Sequence, residues 1–382
     1  MAIDASFTQR ERQLMQAALE LAERGRYTTM PNPRVGCIIA QGDHVHGRGA
    51  HLRAGQQHAE VLALAEAGDN ARGATAYVTL EPCSFAGRTG PCTEALINAQ
   101  VARVIYALED PNPQVAGRGG DALRSAGIAV AAGLLEDQAQ EINRGFFKRM
   151  RQALPFVLAK TAVSIDGRTA LADGSSQWIT GPAARQRVQE MRAQSCALVT
   201  GVGTVLQDNP SLTVRTQQLG EDIGRQPALV IVDSQLRTPP DAKVIGESLL
   251  SGREVLMACA SSADAGRIAA FTGLGVEVQQ FSHQANASDD RVNLAGLLKA
   301  LAQRQYNEVL LEAGAGLLGS FIAQGLVDEL AVFVAPKLLG ATAMPLAKLD
   351  IESMQDAVNF SLIEASPIGE DCLMRYRPAG NR

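Results

Sequence analysis

The residues best suited to chemistry lie in two short stretches: His58-Ala59-Glu60, and LEPCSFAGRTGPC (80–92), whose two cysteines stand nine positions apart, each after a proline. Such a cysteine pair admits three readings: a disulfide, two buried thiols, or half of a metal site. One His and two Cys supply three ligands. Zn²⁺ takes four in a tetrahedron, so three protein ligands leave the last position for water, as in a catalytic rather than a structural centre. Water on such a metal ionises near neutral pH and becomes a nucleophile. Glu60, two residues from His58, can reach that water without ligating the metal. Its carboxylate can then take the water's proton and deliver it to a leaving amine. The competing reading makes Cys83 and Cys92 core thiols and His58 a satisfied core histidine. Glu60 and the two prolines weigh against it, whereas Cys37, Cys196, Cys259 and Cys372 have no such company and are read as structural.

The elements that must hold these groups alternate between strand and helix. Thr8 and Glu11 have capping-box spacing, Leu14, Ala18 and Leu21 share one face, and Gly25 suits the stop of a first helix. Residues 35–40, 75–81 and 103–108 read as buried strands, with helices at 59–68 and 92–100 between them. His58 and Cys92 thus fall at helix starts, where the partial positive charge favours thiolate and metal binding. This alternation predicts an α/β layer sandwich. After Gly145 a basic stretch, FFKRMRQALP (146–155), ends in proline and a second strand series begins. Strands are expected at 156–163, 196–201, 228–233, 254–260, 308–314 and 329–335, and helices at 182–194, 293–303 and 316–324. The boundary falls near 148–154. PNP occurs at 31–33 and 111–113, but no longer repeat surrounds it.

The chain has 382 residues, 46% hydrophobic and 20% charged, with net charge −5. That length suits two domains. There is no apolar run of the roughly 18 residues that span a bilayer. The N-terminus lacks a signal peptide's apolar core, so a cytoplasmic enzyme without membrane partners is expected. A reducing compartment disfavours the disulfide, leaving metal ligation or plain burial. The acidic balance argues against a nucleic-acid partner, which calls for a basic surplus, and favours a small anionic metabolite.

His-x-Glu followed by Pro-Cys and a second Cys is the signature of the zinc deaminases. The nucleic-acid and cytidine enzymes usually place their second Cys three positions after the first, against nine here. TTMPNPRVG (28–36), HAE (58–60), YVTLEPCSFAGRTGPC (77–92) and EDPNPQVAGRG (109–119) resemble the deaminase half of the bifunctional riboflavin-biosynthesis deaminase/reductases, in which the longer spacing occurs. KTAVSIDGRTA (160–170), SQWITG (176–181), GVGTVLQDNPSLTVR (201–215) and LLEAGAGLLGS (310–320) resemble the reductase half. The resemblance covers nearly the whole chain, in order. It implies a cytidine-deaminase-like α/β/α sandwich over 1–150, a zinc-dependent pyrimidine deaminase, and a dihydrofolate-reductase-like α/β domain over 151–382, an NADPH-dependent reductase.

The implied substrate is a diaminopyrimidinone carrying ribosylamine phosphate, deaminated with Glu60 as proton shuttle and then reduced at the sugar to a ribityl chain. Family pyrimidine and ribose-phosphate contacts fall on Asn32, His51, Arg88, Asp110 and Asn112, although Asp110 and Asn112 also suit simple turn chemistry. The chain departs from its relatives at Ser84-Phe85, where they commonly read Ser-His, and at Thr89-Gly90-Pro91-Cys92, where they read Thr-Pro-Pro-Cys. Neither departure touches a ligand or Glu60.

In the second half there is no G-x-G-x-x-G after a first strand, so a Rossmann domain is not indicated. The turns at 201–203 and 314–316 are Gly-rich, and their backbone N–H groups suit a pyrophosphate, though such glycines also serve ordinary turns. The resemblance places Lys160, Asp208 and Glu312 near the reacting sugar and Arg192 and Arg215 at its phosphate. It places Thr161, Ser176, Trp178, Thr204, Gly314, Ala315 and Gly316 along the cofactor or substrate cleft, and it implies assembly into a homo-oligomer. Two other functions remain in view. One is a nucleic-acid or nucleoside base deaminase with an accessory nucleotide-binding domain, disfavoured by an aromatic content of 4% and the absence of a stacking stripe. The other is a non-catalytic zinc protein, which would call for a fourth protein ligand.

Overall fold

In the computed structural model, which describes residues 7–85, 90–113, 115–220, 223–282 and 290–380, the capping box of the first helix forms. Thr8 Oγ1 accepts from the Glu11 N–H at 3.2 Å, and Glu11 Oε2 accepts from the Thr8 N–H at 2.7 Å. Helix α1 (Gln9–Glu23) is followed by β1 (Gly36–Gln41), β2 (His44–Ala50), α2 (Ala59–Ala67), β3 (Thr75–Val78), α3 (Cys92–Asn98) and β4 (Arg103–Tyr106). Then come α4 (Arg118–Ser125), β5 (Ala129–Ala132), α5 (Glu136–Ile142) and α6 (Arg144–Gln152). The basic stretch after Gly145 is therefore helical, and it belongs to the first of two compact units, Met1–Ala153 and Leu154–Arg382.

The first unit's sheet runs β2-β1-β3-β4-β5. Strand β1 is antiparallel to both neighbours, and β3, β4 and β5 are mutually parallel. Strand side chains alternate between faces. Ile38 and Ile105 meet Leu14, Met15, Phe146 and Phe147 on one side, while Ile39 and Val104 meet Ala59, Ala63 and Leu96 on the other. The result is a helix–sheet–helix sandwich. Strand β2 was not expected from the sequence because HVHGRGA (44–50) has neither an apolar run nor clean alternation. Its Gly49 has a positional reason. A Cβ there would stand 1.9 Å from the Ala59 carbonyl oxygen, so the bare backbone lets β2 approach the first turn of α2, which carries His58 and Glu60.

In the second unit the strands are β6 (Phe156–Ser164), β7 (Arg168–Ala170), β8 (Ala197–Gly201), β9 (Ala228–Val232), β10 (Val255–Cys259) and β11 (Glu277–Gln280). They continue with β12 (Glu308–Leu311), β13 (Glu329–Ala335), β14 (Met344–Pro345), β15 (Phe360–Ile368) and β16 (Asp371–Pro378). The helices are α7 (Pro182–Gln194), α8 (Val202–Asp208), α9 (Thr216–Leu219), α10 (Lys243–Leu250), α11 (Ala265–Gly273), α12 (Leu294–Gln303) and α13 (Ala315–Ala323). Nine strands form one sheet in the order β11-β10-β9-β8-β12-β6-β13-β16-β15. It is parallel except for the antiparallel pairs β13/β16 and β16/β15.

Cores lie on both sheet faces, one around Leu198, Leu229, Met257, Phe271 and Phe333, the other around Val199, Val230, Leu297, Leu301 and Phe321. Strands buried on both faces read as continuous apolar runs, which is why β6, β8, β9, β10, β12 and β13 were recognisable in the sequence. Strand β15, at the sheet margin, mixes partly buried and exposed residues with none fully buried and carried no such signal. The chain leaves β6 for β8, works outward to β11, and returns to insert β12 between β8 and β6. That reversal makes a switch point, where open α/β sheets place their ligand crevice beyond the strands' carboxyl ends. No helix among the described residues is long and apolar enough to cross a membrane.

Candidate active sites

His58 is the N-cap of α2, with extended backbone, and Cys92 is the first residue of α3. Both helices start at the same place. His58 Nδ1 stands 3.2 Å from Cys92 Sγ and 3.6 Å from Cys83 Sγ, and the three candidate ligand atoms lie within 4.8 Å of one another. A tetrahedral zinc with ordinary bond lengths would separate nitrogen from sulfur by about 3.5 Å and the sulfurs by about 3.8 Å. The donor set and its spacing therefore fit zinc. Among the described residues no fourth His, Cys, Asp or Glu joins this group.

The electrostatics match that chemistry. Cys83 is drawn down to about 4 as its sulfur accepts hydrogen bonds from Cys92 and His58. Cys92 is pushed up by sharing a proton with Cys83 and by burial. A thiolate already favoured at one cysteine suits metal uptake. The His58 ring is held above its usual value by its hydrogen bond to Cys83, against the effect of burial. Glu60, only 3% exposed, is raised to about 7 by burial and by the charge on Cys83. A bound dication would pull it back down.

Around this group the structure gathers further residues. His51 Nδ1 donates to the Gln57 carbonyl at 3.0 Å, so its Nε2 accepts from Asn32 Nδ2 at 3.1 Å. Burial lowers the His51 pKa, which keeps the ring neutral, and it meets the His58 ring edge-on at 5.2 Å. Asp110 is buried and close enough to feel Cys83; its carboxyl is raised to about 6, chiefly by burial. The Asn112 N–H donates to Asp110 Oδ1 at 2.8 Å. Arg88 lies outside the described residues.

In the second unit a cleft of about 1260 Å³ opens at the switch point, and all twelve C-terminal residues singled out from the sequence line it. The turn after β8 and the turn after β12 are tied together, the Gly314 N–H donating to Thr204 Oγ1 at 3.2 Å. A Cβ at Gly203 or Gly316 would meet nothing within 4 Å, so both backbones face open space that a dinucleotide's phosphates can approach. At the floor, Arg192 grips Glu312 with two bonds, Nε to Oε1 at 2.6 Å and Nη2 to Oε2 at 2.9 Å. Lys160 and Arg253 lie near enough to act on the same pair. Burial lowers Lys160 against the pull of Glu312, and burial plus the Arg192 charge bring Arg253 down to about 10. Three basic side chains thus act on one carboxylate, an excess of positive charge suited to an anion. Asp208 accepts from Ser176 Oγ at 3.3 Å.

Several supporting residues had no sequence signal. The 212–214 backbone of the cleft wall is held by Arg192, already singled out, on the Thr213 carbonyl, and by two residues that were not: Gln226 on both the N–H and the carbonyl of Val214, and Arg253 on the Leu212 carbonyl. Gln189 accepts from the Arg215 N–H. Isolated Gln and Arg residues far apart in sequence betray such contacts only in three dimensions.

Residues 8–108 match the family described as the cytidine and deoxycytidylate deaminase zinc-binding region, and residues 155–374 match the RibD C-terminal domain. The chain is 46% identical over 383 residues to the riboflavin biosynthesis protein RibD of Haemophilus influenzae, covering 98% of this chain and 99% of that one. It is 45% identical to the Escherichia coli RibD, covering 94% and 97%. Among solved structures, Acinetobacter baumannii RibD superposes with a TM-score of 0.87 at 43% identity, over 97% of this chain and 99% of that one. A diaminohydroxyphosphoribosylaminopyrimidine deaminase/5-amino-6-(5-phosphoribosylamino)uracil reductase of Thermotoga maritima gives 0.82 at 29%, with the same coverage.

Proposed function

The chain belongs to the RibD family of bifunctional riboflavin-biosynthesis enzymes, and on that footing we propose which of its residues carry each reaction. It is a zinc-dependent deaminase and an NADPH-dependent reductase. Residues 1–150 are assigned to the first activity and 151–382 to the second. The substrate of the first step is the diaminopyrimidinone ribosylamine phosphate, and the second step reduces the ribosyl group to ribityl.

His58, Cys83 and Cys92 hold the zinc, which when bound supplies an activated water. Glu60 takes the proton of that water and returns it to the exocyclic nitrogen. The ring carbon thereby gains a C–O bond as its C–N bond breaks and ammonia departs. Asn32, His51, Asp110 and Asn112 orient the pyrimidine and ribose, and Arg88 is assigned to the phosphate. In the other unit NADPH supplies the hydride. Lys160, Asp208 and Glu312 face the reacting sugar, and Arg192 and Arg215 face its phosphate. Of the five guanidinium N–H groups of Arg192, three are engaged by Glu312 and Thr213, leaving two for an anion. Thr161, Ser176, Trp178, Thr204 and Gly314 to Gly316 form the wall for cofactor. We place the enzyme in the cytoplasm and read it as a homo-oligomer; the second reading is supported by β15, which exposes Leu362 and Ile363 at a sheet edge that pairs with no further strand among the described residues.

The observation that carries the deaminase reading is His58 Nδ1 set between two sulfurs beside a buried glutamate. Mass spectrometry of products from the zinc-loaded chain tests the whole assignment. Deaminated product is expected without NADPH, and deaminated, reduced product with it. Substrate returned untouched would transfer the zinc site to a different base. A second measurement reports on the cleft alone. Trp178 is the chain's single tryptophan; it is 62% exposed, lines the cleft, and has the Arg185 guanidinium 4.6 Å from its ring centroid. NADPH is expected to quench the indole emission saturably, with transfer to the nicotinamide. Unchanged emission in a protein that still reduces substrate would remove Trp178 from the cofactor wall.

A further inference from the structure

We propose that Glu81, which is neither a zinc ligand nor a group that touches substrate, is a positioning residue that clasps the 110–117 loop shut and so sets Asp110 and Asn112 against the metal site. The inference rests on the substrate-binding role proposed above for that loop.

Glu81 is 3% exposed, and its carboxylate accepts four backbone hydrogen bonds. Oε2 takes the N–H of Asp110 at 3.2 Å and of Gly117 at 3.0 Å. Oε1 takes those of Gly119 at 2.8 Å and Gly120 at 3.1 Å. Asp110 opens the loop and Gly117 closes it, so one side chain joins both ends. The second pair belongs to the first turn of α4. Its N-cap residue is Gly117, which makes no side-chain cap, so Glu81 satisfies from afar donors that a helix start normally leaves unpaired.

A buried carboxylate is tolerated when enough hydrogen bonds reach it, and here the donors are backbone groups of the loop itself. The approach is tight as well: a Cβ on Gly119 would stand 2.1 Å from the Pro82 carbonyl oxygen. Glu81 is also fixed at its own backbone, its N–H donating to the Leu108 carbonyl at 3.0 Å, and it lies two residues before Cys83. The clasp therefore ties the segment carrying a metal ligand to the segment carrying Asp110 and Asn112.

Glu81→Gln keeps the volume but turns an NH₂ group toward two of the four donors, opening one end of the clasp. In the full-length zinc enzyme, KM for the diaminopyrimidinone substrate is expected to rise at least tenfold while kcat stays within threefold. Zinc content should remain one per chain, and reduction of pre-deaminated substrate should be unchanged. Gly119→Ala, which forces the same parts from each other with Glu81 intact, should give the same KM-weighted loss. Asn112→Ala, run in parallel, reports on the substrate role of the loop. If Asn112→Ala raises KM and Glu81→Gln does not, the clasp is overturned and the loop reading stands. If Glu81→Gln raises KM and Asn112→Ala does not, the clasp stands and Asn112 leaves the substrate site. Loss of zinc from Glu81→Gln also overturns the proposal, because Glu81 would then support the ligands rather than the loop.

Discussion

Glu60→Gln is expected to deaminate about 10⁴-fold more slowly while it keeps its zinc and its NADPH-dependent reduction. General acid–base groups typically contribute 10² to 10⁴ in rate. In the role proposed for it Glu60 stands at the upper end, because one carboxylate would serve two transfers, from water and then to the leaving amine. Glutamine preserves the volume in a position that is 3% exposed and leaves His58, Cys83 and Cys92 in place. The reductase half has its own sheet and its own cores, so its activity is the internal control. A rate within tenfold of the parent would show that another group moves the protons. Joint loss of both activities in a folded variant would break the assignment of two sites.

Arg192→Met is expected to have the larger structural cost. The side chains of Arg192 and Glu312 are 13% and 9% exposed, and removing one partner of a buried pair leaves an uncompensated charge, typically costing 3–5 kcal/mol. Lys160 and Arg253 remain near Glu312, which points to the lower end, about 3 kcal/mol. For a domain of this size that lowers the melting temperature by roughly 10 °C. Reduction should vanish as well, since the Thr213 carbonyl loses its anchor and the cleft loses a cation. Calorimetry with parallel deamination assays checks this: the transition of the second unit moves and deamination persists. A variant that melts within about 2 °C of the parent and still reduces would make Arg192 dispensable.

The two halves were legible in the sequence to different degrees, for physical reasons. The His58, Cys83 and Cys92 group could be read locally because His58 and Cys92 sit at helix starts and each cysteine follows a proline, and because His, Cys and Glu at that spacing have few common structural uses together. The cleft residues could not. Asp208 before Asn209-Pro210 reads as a turn, and Arg192 on a helix reads as a surface charge, until the family resemblance is added. The double-sided core strands were visible as apolar runs, whereas β2 and β15, each with one open side, were not. Glu81, Gln226 and Arg253 were silent because each serves backbone groups distant in sequence, and no spacing rule reports on a hydrogen bond between residues 81 and 117.

The strand order also bears on how the chain is made. In the first unit each strand of the β3-β4-β5 series pairs with one synthesised shortly before it, so this half can fold as it leaves the ribosome. In the second unit β12 lies at the centre of the sheet yet comes late, Glu308 pairing with Phe156 and Val309 with Ala197. Until residues 308–311 emerge, β6 and β8 each lack the strand that joins them. Such non-local pairing is slow and exposes sticky edges meanwhile. The second half is thus the one more exposed to aggregation while it is made, and a chain truncated before β12 is expected to keep the first unit's fold while its tail aggregates.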